Sequence, residues 1–337
     1  MDNFKNIINL LEIGDFSYNV LLSALQMTGK AQIDLFSLAR KKRKQSFSDN
    51  ICQARSVIEI SNVCKQKCNY CAIGSKDQAL NYTLKAKQIE VLINYLYDKG
   101  RRVILLQSGE NVSNTFLNDV IDAVSISMSN HSDLKIILCL GNLPRHYYQA
   151  LYDAGATDYI LKFESSNAKL FSYCKPNDTL SNRMQCISNL CEIGYNVGSG
   201  NIVGLPTQTL DDIVGDLHLI HKLPLSMNSS TIFIPAENST FANKKAGNPI
   251  YTLNMMALMR IMNPQRYMPT TSSLEKIIPD GQFLGLMAGA NTVTIHDGTP
   301  EELQKYFPIY SSKRIRPQIN HFRDILNRAG MKADNIT

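Results

Sequence analysis

A TIM-type (β/α)8 barrel over residues 51–337, forming a single domain behind an N-terminal helical extension over 1–50, is the fold class this sequence predicts. Three observations predict it. Eight short apolar runs alternate with amphipathic stretches. Successive runs lie tens of residues apart, which suits parallel pairing through helical crossovers rather than hairpins. The chain has 337 residues, a length such barrels reach as one unit.

The elements follow in order. In the first 50 residues, Ile7, Ile8, Leu11 and Ile13, then Val20, Leu21 and Leu25, give an incomplete helical stripe that Leu35, Phe36 and Leu38 continue. Strands are expected at 57–60, 103–107, 135–140, 159–163, 196–203, 230–234, 266–268 and 291–295. One helix is legible in detail. Thr209 can cap it with Asp212 three residues on, and Leu210, Ile213, Val214 and Leu217 fall at i, i+3, i+4, i+7 on one face.

Composition narrows the class. An apolar fraction of 44% supports a sizeable core, and no apolar run approaches membrane-spanning length. The start, Met1-Asp-Asn-Phe-Lys, lacks the basic-then-apolar pattern of a secretory leader. Eight cysteines in a chain of this length make no disulfide scaffold. Thiols committed to redox chemistry argue for a reducing compartment, so the expected location is cytoplasmic, without a membrane. The net charge is +6, densest at Arg40-Lys-Lys-Arg-Lys44. No aromatic residues interleave that block as a single-strand nucleic-acid binder would require, so a solvated helix end is expected there rather than a nucleic-acid site.

The most informative motif follows the first strand: Cys64-x3-Cys68-x2-Cys71, with Tyr70 before the last cysteine. Three thiolates on one loop can hold three irons of a 4Fe-4S cluster and leave the fourth open. A zinc knuckle or three unrelated thiols are the other readings. Zinc sites usually show paired Cys-x2-Cys or Cys…His sets, and the first histidine after Cys71 is His131. In a barrel, chemistry belongs on loops at the C-terminal ends of strands, which is where this loop falls. The spacing resembles the signature of the radical S-adenosylmethionine (SAM) superfamily. There the open iron chelates the amino and carboxylate groups of SAM, and an electron from the cluster releases a 5′-deoxyadenosyl radical.

Further residues fit a SAM site. Ser108-Gly109-Glu110 ends strand two and offers carbonyls and a carboxylate to an ammonium. Glu164 ends strand four, and Arg183 follows with a guanidinium suited to a carboxylate. On strand five, Gly200, Ile202 and Gly204 leave room for a flat adenine, although barrel packing could also demand the glycines. Together with 58–64, 106–110, 183–186, 203–209, 233–235, 242–245, 257–261 and 288–291, these pieces resemble the iron–iron hydrogenase maturase HydE and its relatives over about residues 50–310. Biotin synthase and methylornithine synthase are more distant relatives of the same shape. The resemblance implies that Glu110, Glu164 and Arg183 bind SAM, that a small, amino-acid-like substrate sits above the cluster, and that a flavodoxin- or ferredoxin-type donor supplies electrons.

Departures from that family fall in the inferred substrate pocket. Ile137 stands where maturases have threonine, Lys162 where they have arginine and Phe163 where they have histidine; Thr271-Ser272 replaces a Thr-Thr pair, and His296-Asp-Gly-Thr-Pro300 replaces an Asn-aromatic-Thr-Pro loop. Arg to Lys is not conservative at a bidentate site. Lys162, Thr271, Ser272, His296 and Asp297 are therefore the candidate substrate residues. Cys139 has no cysteine partner at Gln107 or Gly198, and Arg314–Asn320 holds no cysteine, so a second cluster is not expected; Cys52, Cys139, Cys174, Cys186 and Cys191 read as small apolar fillers. The expected function is a radical SAM enzyme with a HydE-like frame and a different substrate. A maturase proper, a methylornithine synthase-like mutase and a non-catalytic cluster-binding scaffold are the alternatives.

Overall fold

A computed structural model describes residues 2–73, 80–311 and 316–334; Arg314 and the last three residues lie outside them. Nine strands are present among the described residues: β1 Ile51–Ser61, β2 Val103–Ser108, β3 Lys135–Cys139, β4 Asp158–Ile160, β5 Asn196–Val203, β6 Met227–Ile232, β7 Pro269–Thr270, β8 Thr292–Ile295 and β9 Lys332–Asp334. The helices are α1 Asp2–Glu12, α2 Tyr18–Leu25, α3 Gly29–Ser46, α4 Ala86–Asp98, α5 Asn114–Asn130, α6 Arg145–Asp153, α7 Ala168–Cys174, α8 Leu180–Ile193, α9 Leu210–Lys222, α10 Pro249–Met262, α11 Ser272–Ile277, α12 Gly281–Met287, α13 Glu301–Gln304 and α14 Ile319–Arg328.

The sheet runs β6-β5-β4-β3-β2-β1-β8-β7, all parallel, with an isolated parallel bridge from Tyr267 to Met227 bringing the two ends together. This is the expected eight-stranded barrel, closed most weakly between β6 and β7. Three differences from expectation have local causes. β1 begins at Ile51 because Gln53, Arg55 and Ser56, polar enough to mask the strand, pair along β8. Arg55 is buried over the Tyr267 ring, 5.7 Å from its centroid. β7 is displaced to Pro269–Thr270, while Tyr267 makes only the closing bridge. β9 is a short ninth strand beside Ile51–Gln53, at the N-terminal end of β1.

Strand alternation sorts side chains between two cores. Ile58, Ile60, Ile104, Leu106, Val293 and Ile295 face the helices within the main core, which also takes in Leu11, Leu21 and Leu35 of α1–α3. Val57, Val103, Leu105, Ile137 and Met227 point inward and form an apolar plug with Cys139, Ile160 and Tyr267. Burial of each such aliphatic side chain contributes about 1.5–3 kcal/mol. The plug fills the barrel floor, so inward positions beyond it belong to the mouth.

The predicted α9 forms as expected: Thr209 and Asp212 make a reciprocal capping box, and Ile213, Val214 and Leu217 are buried. The basic block lies on α3. There Arg43 is buried and donates to the carbonyls of Leu286 and Ala290 (both 2.8 Å), while Arg40 donates to Met287 O (2.9 Å). Both arginines thus satisfy carbonyls at the C-terminal end of α12, where positive charge is favoured. No helix among the described residues is long and apolar enough to cross a membrane.

Candidate active site

The cysteine loop leaves β1 at the C-terminal end of the barrel and is held by its backbone. Lys65 N–H donates to Glu110 O (3.0 Å), Asn69 N–H to Cys174 O (2.8 Å) and Ala72 N–H to Ile309 O (2.8 Å). All three cysteines are free thiols. Backbone amides already address two sulfurs: Glu110 N–H donates to Cys64 Sγ and Ile73 N–H to Cys71 Sγ, each at 3.3 Å. Amide bonds of this kind help set iron–sulfur potentials. Burial pushes the Cys68 thiol up and the Cys71 thiol up to about 12. Left alone these thiols stay protonated, whereas a bound metal deprotonates them outright.

Among the described residues, no three His, Cys, Asp or Glu side chains converge as a shared single-ion site would require. A cubane makes no such demand, since each thiolate meets a different iron. Free thiols on one anchored loop, with amides aimed at two of the sulfurs, fit a cluster. Packing also demands Gly109. A Cβ there would lie 2.5 Å from Val63 O and 2.8 Å from Cys64 Cβ, so glycine lets β2 end against the loop. Its carbonyl is already used, by Asn111 N–H (2.8 Å) and Ser108 Oγ (2.6 Å).

Beside the loop lies a buried charge network. Glu110 accepts from Gln66 Nε2 (2.8 Å) and pairs with Lys65 Nζ (3.3 Å) and Arg183 Nη2 (3.7 Å). Arg183 also bonds Asp178 (3.1 Å), to which Asn142 donates (2.9 Å). Burial pulls the Arg183 pKa down, but Glu110, Asp178 and Glu164 together outweigh it and hold the guanidinium above its ordinary value. Four buried atoms here have no hydrogen-bond partner: Arg183 Nε, Gln66 Oε1, Asn142 Oδ1 and Glu164 Oε2. Buried polar atoms are nearly always satisfied, so one donor and three acceptors orphaned beside the cysteine loop fit a polar ligand at this point.

Glu164 sits on a constrained turn. It has φ +63°, a conformation a non-glycine residue rarely adopts, and such residues concentrate at functional sites. Its N–H donates to Gly200 O (3.0 Å), and its carbonyl accepts from Ile202 N–H (2.9 Å). From the helix side, Asp216 accepts from Ser166 N–H (2.6 Å) and Asn201 Nδ2 (2.8 Å). Asp212 accepts from Asn167 Nδ2 (2.7 Å). The turn is gripped between β5 and α9. Lys162 points inward, donating to Thr231 Oγ1 (2.8 Å) with Nζ 3.2 Å from Glu164 Oε2, an ion pair without hydrogen-bond alignment. Tyr70 packs with Leu170, Ile202, Leu205, Phe233 and Phe241.

Four expectations change. A Cβ at Gly200 would lie 1.8 Å from Ser229 O, and one at Gly204 (φ +90°) 2.2 Å from Gly247 Cα, so packing alone requires both glycines. Phe163 belongs to the outer core against the helices and does not line the interior. Ile137 belongs to the floor plug. Strand parity turns His296 inward and Asp297 away, and Asp297 pairs with Arg101 (3.1 Å) instead of joining the other candidates. Thr271 follows β7 as the residue before α11, with its hydroxyl 2.7 Å from Ser273 Oγ, and Ser272 opens α11.

One inward residue was missed. Glu59 is fully buried, its Oε1 3.4 Å from His296 Nδ1 and its Oε2 3.9 Å from Arg316 Nη2. The signal was available: a carboxylate inside the apolar run Val57-Ile-Glu-Ile60 must find a charged partner if that run is a barrel strand. Glu59 and His296 stand on β1 and the end of β8, across the barrel from Lys162 beyond β4.

Comparison with known proteins identifies the family and the fold. Residues 58–220 match the model of the radical SAM superfamily. The [FeFe] hydrogenase maturase subunit HydE of Thermotoga maritima is 33% identical over 311 residues, covering 92% of this chain and 88% of that protein. The 3-methylornithine synthase of Methanosarcina acetivorans is 23% identical over 87% of this chain and 83% of its own length. Among solved structures, methylornithine synthase (PylB) superposes with a TM-score of 0.83 at 22% identity, covering 98% of both chains. HydG of Carboxydothermus hydrogenoformans, an FeFe-hydrogenase maturase, gives 0.81 at 19% identity over 99% of this chain and 80% of its own.

Proposed function

Because this chain belongs to the radical SAM superfamily, in the group that contains HydE, we propose that Cys64, Cys68 and Cys71 hold its 4Fe-4S cluster and that Glu110, Glu164 and Arg183 bind SAM. We propose further that it acts on a small, amino-acid-derived substrate other than that of hydrogenase maturation. It is an enzyme whose class uses both cofactors. When bound, the cluster supplies the electron that cleaves a carbon–sulfur bond of SAM and frees a 5′-deoxyadenosyl radical.

The observation that carries the reading is the set of orphaned buried atoms on Arg183, Gln66 and Glu164 beside an anchored three-cysteine loop. Arg183 offers a planar fork to the SAM carboxylate, already charged by its acidic neighbours. Glu110 and Glu164 offer carboxylates to donors of the same ligand. The apolar plug closes the barrel from below, which keeps water from a reactive radical. On the substrate side, Lys162 presents an ammonium, while Glu59 and His296 present a carboxylate and an imidazole on the opposite wall. A zwitterionic amino-acid framework complements both walls. A low-potential carrier of the flavodoxin or ferredoxin type supplies the electron, and the location is cytoplasmic.

The 33% identity to HydE favours one second reading, a maturase proper. Product analysis separates the two. Reconstituted protein is incubated without oxygen with SAM, reductant and a set of deuterated amino acids. Deuterium in 5′-deoxyadenosine marks the substrate. Transfer from none of them, with turnover of a hydrogenase-maturation precursor, would overturn the substrate assignment.

A further inference from the structure

Three segments of the barrel mouth are tied into one face around the cysteine loop. The Asn69 side-chain amide donates to Tyr173 O (2.6 Å), its N–H donates to Cys174 O (2.8 Å), and its carbonyl accepts from Phe241 N–H (2.9 Å). Asn177 Nδ2 reaches Lys65 O (3.4 Å). Residues 64–73, 168–177 and 239–248 therefore form a continuous surface. These segments contain six lysines, Lys65, Lys67, Lys169, Lys175, Lys244 and Lys245, and no Asp or Glu. Outside the Arg40–Lys44 block, these segments form a second stretch of one-sign charge.

Lys65 turns to Glu110 (3.3 Å), and Lys175 is buried. The other four are exposed, and none has an acidic partner among the described residues. In their midst Tyr173 is 43% exposed, one helical turn from Lys169 on the same side of α7, with its ring tilted on Phe241 at 5.1 Å. Uncompensated charge of one sign around an exposed aromatic is the make-up of an electrostatically steered contact with an aromatic anchor. It is also the surface that the cysteine loop itself helps to form, so a centre docked here is joined to Cys68 through one residue.

We propose that this lysine-rich face is the docking site for an acidic protein electron carrier. The inference rests on the reductive reading above. For each SAM cleaved, the carrier is oxidised by one electron and the cluster reduced by one, with no bond exchanged between the two proteins. Tyr173 fills the centre of the contact, and Lys67, Lys169, Lys244 and Lys245 surround it.

The test uses reconstituted protein and a purified flavodoxin. Its Kd is measured at about 20 mM and about 300 mM salt, where screening differs strongly. The same is done for the triple variant Lys169→Glu, Lys244→Glu, Lys245→Glu and for the milder triple Lys→Gln variant. The wild type should weaken about tenfold or more with salt, the reversed variant should bind at least about tenfold more weakly at low salt, and the neutral variant should fall between. SAM cleavage driven by dithionite, which needs no docking, should stay within about twofold of wild type in both. Unchanged flavodoxin affinity in the reversed variant, or no flavodoxin binding by the wild type, would overturn the proposal. Failure of dithionite-driven cleavage in the wild type would instead count against the reductive reading, with the affinity comparison still reporting on the surface.

Discussion

Cys64, Cys68 and Cys71 share one short loop, whereas Lys162, Glu59, Thr271 and His296 come from four different strand ends. The two sides of this barrel mouth were assembled under different constraints. The three cysteines are neighbours in sequence, and their loop is held by backbone hydrogen bonds that tolerate many side chains. On the substrate side, each residue is a single inward position, and a shift of one residue sends it to the opposite face. His296 and Asp297 show this directly: the first meets Glu59 inside the barrel, and the second meets Arg101 outside it.

The comparison breaks if the buried network beside the cysteine loop is only structural. Arg183→Lys keeps the charge but loses the planar fork and the buried Nε. We expect SAM affinity to fall about 10- to 100-fold, the range of one or two hydrogen bonds to a charged group, with cluster content unchanged. Equilibrium binding of SAM to reconstituted protein checks this. An unchanged affinity would remove Arg183 from the cofactor side.

Asp216 sharpens it next, because it holds the Glu164 turn without touching the proposed ligand. Burial raises its carboxyl from 3.8 to about 7, although Asn201 and Ser166 bond it. The folded protein therefore binds this proton more tightly than the unfolded chain does. Its contribution to stability is fully present below about pH 4 and is lost as pH rises through about 7, at about 1.4 kcal/mol per pKa unit. Asp216→Asn can retain both bonds, since Asn201 Oδ1 has no partner and its amide can turn over. Chemical denaturation at several pH values should show a falling stability in the wild type between about pH 4 and 7 that is flattened in the variant. Parallel profiles would show that Asp216 is ionised throughout.

Much of the barrel was legible, and the illegible parts share a cause. Strands β2 and β3 stand out because continuous apolar runs are what a strand buried on both faces looks like. The start of β1 was hidden because its inward side chains, Gln53 and Arg55, are polar; they bond each other, and Arg55 also covers the Tyr267 ring. Glu59 was legible as a carboxylate inside an apolar run, but its partners His296 and Arg316 come from distant segments. The cysteine loop and the α9 cap could be read because a local spacing defines each. The packing demand on Gly200 and Gly204 could not be weighed from sequence, because a close approach to Ser229 and Gly247 leaves no trace in their own neighbourhood.

The smallest effect separates the two histidine-loop neighbours. Asp297→Asn weakens a largely buried pair with Arg101, so thermal stability should fall by about 1–2 kcal/mol, a few degrees in Tm. SAM cleavage and product identity should not change. His296→Ala should behave oppositely, altering substrate turnover more than Tm. If Asp297→Asn changed the product and His296→Ala did not, the assignment of inside and outside would be reversed.

The central claim is that the cysteine loop serves a reductive cleavage of SAM. The measurement is 5′-deoxyadenosine release from SAM by the anaerobically reconstituted, dithionite-reduced protein, beside Cys68→Ala treated identically. The account predicts release by the wild type and background levels from the variant, with iron and sulfide content lost in parallel. A wild type that binds a full cluster and SAM yet releases no 5′-deoxyadenosine in the presence of any amino-acid substrate, or a variant that releases it equally well, would contradict it.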